Sequence, residues 1–102
     1  MRELAMAYLA QTHPTPWNWV ADATARALFE FLYGGGLGIE DYRAYLREIK
    51  GKRLEGLTLK ETGAYLTMLA KHDRVSDCYT TAIEKGTLAA LLQHYLDLTE
   101  TG

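Results

Sequence analysis

Between Leu57 and Leu98 three helical runs follow one another with almost no connecting chain, which leaves little room for anything but short helices packed together. Thr58 with Glu61 three residues on is a capping-box pair. The threonine hydroxyl accepts from the backbone of the first turn while the glutamate reaches back, so two N–H groups that a helix start leaves orphaned are both satisfied. Leu59, Gly63, Leu66, Leu69 and Ala70 then recur at helical spacing, with Tyr65 and Met68 beside them. The run loosens at Asp73-Arg74. Ser76 is placed to cap the next helix, with Asp77 in the first turn where the helix dipole favours an anion. Gly86, after Glu84-Lys85, holds the position of a left-handed residue past a helix end. Thr87 restarts a final helix whose apolar set is Leu88, Leu91, Leu92, Tyr95, Leu96 and Leu98.

The first half divides in the same way. Leu4, Tyr8 and Leu9 predict a helix over residues 2–12, ended by His13-Pro14-Thr15-Pro16, because proline cannot continue a helix and restricts the residue before it. Pro16 suits a first turn, with Thr15 as its cap, so the next helix is predicted from Trp17 to Tyr33. Trp17, Val20, Thr24, Ala27, Leu28, Phe31 and Leu32 form one face, while Asp22, Arg26 and Glu30 make an i,i+4 chain on another. Its wide apolar stripe predicts a central, buried helix. Gly34-Gly35-Gly36-Leu37-Gly38 stops it. That run follows a helix instead of a strand and lacks the lysine of a Walker motif, so it is read as a left-handed cap and connection. A third helix is predicted from Ile39 to Lys50, with Ile39, Tyr42, Leu46 and Ile49 inward and Gly51 as its stop.

The expectation is therefore one all-α domain over residues 1–102, a compact bundle of five or six short helices. At 48% hydrophobic residues the chain can bury a core without staples. The lone Cys78 excludes an internal disulfide and suits a reducing, cytoplasmic setting. The apolar N-terminus, broken at Gln11, lacks the order of a signal peptide and the length of a spanning helix, so no membrane is expected.

Two resemblances attach to this framework. Leu57-Thr58-Leu59-Lys60-Glu61-Thr62-Gly63-Ala64-Tyr65-Leu66 is similar to the opening of an excisionase-type helix-turn-helix. About twenty residues then separate Leu66 from Gly86, more than that motif allows, and Asp77 and Glu84 would both repel phosphate. The wider set Leu66-Thr67, Lys71, Asp73-Arg74, Glu84, Gly86 and Leu92 resembles a family of small bacterial proteins known only as a domain of unknown function. That resemblance implies an all-helical fold and brings no activity. The chain departs from the family pattern at Val75, where phenylalanine is expected, and at Ser76, where cysteine is expected; Cys78 lies two residues beyond that slot.

Charge gives the one asymmetry. Arg43, Arg47, Lys50, Lys52 and Arg53 against Glu48 make residues 43–53 +4, and the other 6 basic and 12 acidic side chains make the rest −6, returning the overall −2. Beside Tyr42 and Tyr45 such a patch could meet phosphates or an acidic protein surface. Chemistry is thinner. Cys78 with His72 or His94, oriented by Asp73 or Asp77, is a conceivable thiol–imidazole pair, but nothing in the spacing brings them together. His13, His72 and His94 are too scattered for a metal site, and no cofactor is implied. Asp73 and Arg74, at a break between helices, are read as a structural clasp on backbone groups that helix ends leave open.

The functional expectation is a non-enzymatic protein–protein interaction module. Trp17, Trp19, Tyr42, Arg43, Tyr45, Arg47, Lys50, Lys52 and Arg53 are its contact residues, since tryptophan, tyrosine and arginine most often anchor interfaces. Its specific form is a phage or mobile-element inhibitor of a host defence complex, anti-CRISPR-like. A nucleic-acid accessory protein using residues 43–53 and a small Cys78-dependent enzyme are the alternatives. Self-association is also expected, because two tryptophans and a leucine-rich last helix exceed what one small core needs.

Overall fold

Thr58 does cap its helix: its hydroxyl accepts from the Glu61 N–H, and the Glu61 carboxylate accepts from the Thr58 N–H at 2.9 Å. Around this helix, Leu59–Lys71 (α4), the rest of the chain is assembled in a computed structural model that describes residues 1–10 and 16–100, apart from the side chains of Pro16, Trp17, Arg74 and Glu100. The other helices are α1 Arg2–Ala10, α2 Ala23–Tyr33, α3 Tyr42–Ile49, the single turn α5 Asp73–Ser76, α6 Cys78–Lys85 and α7 Thr87–Glu100. Two 3₁₀ segments, Pro16–Ala21 and Leu54–Gly56, join them, and no strand occurs among the described residues. The fold is all-α.

α4 lies at the centre, packed on α2, α3, α6 and α7, and α7 also covers α1 and α6. Leu28 and Leu32 of α2, Leu66 and Leu69 of α4, and Leu88, Leu91 and Leu92 of α7 form the core with Tyr8 and Tyr79. Eight of the thirteen residues of α4 are buried, whereas α2 buries only Ala25, Leu28 and Leu32. The central helix is α4, not the second helix as its apolar stripe suggested.

The predicted helix over 17–33 is in fact broken. Asn18 leaves helical geometry, and Asp22 takes an extended backbone and accepts the Ala25 N–H at 2.8 Å. Asp22 is thus a cap and not a link in an i,i+4 chain; Arg26 and Glu30 keep their pair at 3.3 Å on the surface. The break rotates Val20 outwards, to 58% exposure, and Trp19 inwards, to 7%. The first helix ends at Ala10 among the described residues, and its predicted stop at His13-Pro14-Thr15 and the Thr15 cap lie outside them.

α3 starts at Tyr42, later than predicted, because Ile39 is used otherwise: it rests on α4 at Gly63, where an added Cβ would come within 2.5 Å of the Ile39 Cδ1. The glycine run stops α2 as expected, with Gly34 donating to Glu30 and Gly35 in a left-handed conformation. Gly86, at φ +78, ends α6. Ser76 does not cap α6. The single residue between α5 and α6 is Asp77, itself left-handed at φ +51 and without a side-chain capping bond. The cap comes from Asp73, whose Oδ1 accepts from the N–H groups of Tyr79 (3.0 Å) and Thr80 (3.3 Å).

Candidate interaction surface

Two of the four aromatic contact residues, Trp19 and Tyr42, belong to the core. The Trp19 indole N–H donates to the Thr80 hydroxyl at 2.8 Å, and its ring centroid lies 4.8 Å from those of both Phe29 and Tyr79. A large ring whose one polar atom finds a buried partner gains more by burial than by display. Tyr79 donates to the Ala25 carbonyl, and burial pushes its phenol far above the ordinary tyrosine value. Tyr42 is buried as well. Its hydroxyl lies 3.0 Å from His72 Nε2 and accepts from Arg43 Nε at 3.4 Å, which ties the start of α3 to the end of α4. Trp19 and Tyr42, expected at a contact surface, are therefore packing residues. Tyr45 is half-buried, and the Trp17 side chain lies outside the described residues.

The cations are placed differently. Arg43, Arg47, Lys50, Lys52 and Arg53 are all exposed. Lys52 is engaged: its Nζ meets Glu61 Oε2 at 2.7 Å. This hydrogen bond from Lys52, followed by that from the Thr58 backbone, holds the Glu61 carboxyl below its usual range although the side chain is almost fully buried. One carboxylate thus caps α4 with one oxygen and pins the turn after α3 with the other. Arg43, Arg47, Lys50 and Arg53 have no carboxylate within ion-pair distance among the described residues. The Arg43 guanidinium instead leans over the Tyr42 ring, 5.8 Å from its centroid. The cations are legible in the sequence by their local density; Glu61 as the partner of Lys52 and His72 as the partner of Tyr42 are not, since both pairings join separate elements.

The groups proposed for thiol chemistry are held in three separate contacts. Cys78 Sγ lies 2.8 Å from Ser76 Oγ, His72 faces Tyr42, and His94 Nε2 lies 2.8 Å from the Leu57 carbonyl oxygen. Cys78 lines an open cleft of about 380 Å³ with Tyr65, Met68, Ser76 and Lys85. A second cleft, about 330 Å³, lies between the glycine run and α4 and includes Glu40, Tyr42 and Lys71. The N–H groups of Gly34, Gly35, Gly36 and Gly38 all donate to carbonyls of the same loop or of α2, so they are not turned towards a phosphate. Among the described residues no three His, Cys, Asp or Glu side chains converge as metal ligands would, and no helix is long and apolar enough to cross a membrane.

Leu88, Leu91, Leu92 and Leu96 of the last helix lie in the core, as does Trp19, so none of these five side chains is on the surface. The Arg74 half of the expected clasp lies outside the described side chains. Compared with protein-family models, curated proteins and solved structures, the chain matches none.

Proposed function

We propose that the chain is a non-enzymatic interaction module that docks another protein through the outward flank of α3 and the turn that follows. The observation that carries this reading is the set Arg43, Arg47, Lys50 and Arg53, exposed and without carboxylate partners among the described residues. Stability alone does not favour it. Arg43 and Arg47 stand at i,i+4, where like charges cost a few tenths of a kcal/mol and one glutamate would turn the cost into a gain. α3 also has no acid in its first turn, where the dipole rewards one. Cations near its last turn are favourable, but Arg43 is not among those.

With Trp19 and Tyr42 in the core, recognition through this face is led by charge, which sets encounter rate and register more than raw affinity. The specific form of the proposal is an anti-CRISPR-like inhibitor of a host defence complex, supported by the small, slightly acidic, helical character of the chain. Nucleic acid is the second reading, favoured by the same four cations, and it requires binding that weakens steeply with salt.

Affinity capture with the full chain as bait, beside an Arg47→Glu/Lys50→Glu variant of unchanged circular dichroism, tests the proposal. A protein enriched by the native chain and lost with the variant supports it. Identical capture by both, or enrichment abolished by nuclease, overturns it.

A further inference from the structure

The basic face is bounded, and its bounds indicate the shape of the anion it fits. At about 100° and ~1.5 Å per residue, Arg43, Arg47 and Lys50 fall within a sector of roughly 60° and span about 10 Å along α3. Glu48 lies about 100° or more away from each of them on the same projection. Ala44, also exposed, lies between the stripe and Glu48 on that projection. A side chain that short lets a partner backbone come to the ~8–10 Å at which helices pack.

Acids flank the basic stretch on both sides in sequence, and Glu40 also lines the cleft beside Tyr42 and Lys71. Glu40 and Asp41 are exposed just before α3, with no cation in ion-pair distance among the described residues, and Asp41 makes no side-chain capping bond. Glu55 stands exposed beyond Arg53 in the 3₁₀ turn. Duplex nucleic acid carries one charge per about 1.7 Å and continues past any protein of this size, so it would lie over these carboxylates as well as over the cations. A short acidic stripe on a helix would not.

Resting on the docking face proposed above, we infer that the partner presents an amphipathic helix with carboxylates at i, i+3 and i+7 followed by a cation near i+10, docked antiparallel on α3. Read from its N-terminus, such a helix sets its three acids against Lys50, Arg47 and Arg43 in turn, and its cation against Glu40-Asp41. The antiparallel sense follows from electrostatics. It places the acids towards the partner helix's N-terminus and the cation towards its C-terminus, as the macrodipole favours, and opposes the two helix dipoles. The parallel sense reverses each of these preferences. Acids in one stripe facing cations in another, with alternate signs fixing direction, is the device by which flanking charges choose partners in coiled coils.

Fluorescence anisotropy on the full chain tests the inference with three probes: a labelled, end-capped helical peptide of this pattern on an alanine–glutamine frame, an isomer of the same composition with its acids spread round the helix, and a DNA duplex of about 20 base pairs. At about 50 mM salt the patterned peptide should bind about tenfold more tightly than its isomer, and Arg47→Glu should weaken it about tenfold while leaving the isomer unaffected. Equal binding of the two peptides, no saturable binding of the patterned one, or tighter binding of the duplex overturns the inference. If capture of a partner still depends on Arg47 and Lys50 when the patterned peptide fails, the partner's chemistry alone is wrong. If capture ignores those residues, the docking face is wrong.

Discussion

Glu61 joins two jobs in one side chain, and its protonation should be felt in both. Its folded pKa lies below the ordinary glutamate value because Lys52 donates to the ionised form and the Thr58 backbone does so too. A depressed carboxylate contributes stability above its unfolded pKa and loses it as pH falls through the folded value. Thermal melts should therefore fall on acidification below the ordinary glutamate range, and Glu61→Gln, which keeps an acceptor for Thr58 but not the ion pair, should flatten that acid limb. A limb of unchanged depth in the variant would show that other carboxylates dominate it. Thr58→Ala removes the other half of the box and should cost about 1 kcal/mol at neutral pH. Asp73→Ala leaves the Tyr79 and Thr80 N–H groups without their acceptor. It should lower Tm by several degrees, roughly 4–8 °C per kcal/mol lost in a domain of this size, while Asp73→Asn, which retains an acceptor oxygen, should recover most of it. Thr58, Glu61 and Gly86 could be assigned from the sequence because capping is local: the partners lie within a few residues. Asp73 could be recognised as a backbone acceptor, but its target could not, because five residues, the left-handed Asp77 among them, separate it from Tyr79.

At the scale of the elements, the contact between α4 and the chain leading into α3 depends on a missing side chain. Gly63→Ala sets two effects against each other. Helix propensity favours alanine by about 1 kcal/mol, but the new Cβ falls 2.5 Å from Ile39 Cδ1 and 3.5 Å from Leu37 Cδ1, and overpacking costs ~1–3 kcal/mol. The clash should win, so that the variant melts lower. Ile39→Val, which deletes that Cδ1, should cost less in the alanine background than alone; additivity of the two substitutions in urea melts would show that they do not meet. The same contact explains why α3 starts late. Periodicity counted Ile39 as a helical residue because it is apolar and correctly spaced, yet an apolar residue at the right interval serves equally well as a peg set into a neighbouring helix. The break within residues 17–33 has a similar origin: Asp22 was legible as an acid, but its choice between pairing with Arg26 and capping Ala25 was settled by the need to turn Trp19 inwards.

For the whole molecule, the two fully buried phenols, Tyr8 and Tyr79, set an upper pH limit. Burial, with the Asp22 charge adding to it, pushes Tyr8 up to about 12, and burial raises Tyr79 further. A raised pKa contributes stability that is complete below the ordinary tyrosine value near 10 and is lost as pH rises through the folded value. Between pH 10 and about 12 the fold should weaken steadily, and the tyrosinate absorbance of Tyr8 and Tyr79 should appear together with loss of helical circular dichroism. Tyr79→Phe should remove part of that alkaline slope, at the cost of the Ala25 hydrogen bond at neutral pH. An alkaline melt indifferent to Tyr79→Phe would argue that its phenol reaches solvent in the folded state.

What the amino-acid order determined alone were the properties carried by neighbours: all-helical character, the capping box at Thr58, the stops at Gly34–Gly38, Gly51 and Gly86, and the basic density of residues 43–53. Each rests on interactions that reach no further than about one helical turn. Tertiary structure alone decided which aromatics could face a partner. Trp19 is buried because Thr80, 61 positions away, supplies a hydroxyl for its indole N–H, and Tyr42 because His72 waits at the end of another helix. A polar atom can be buried only where some other element satisfies it, and the identity of that element is a property of the packing. The cations of α3 needed no such partner to stay outside, so their exposure was readable from the start.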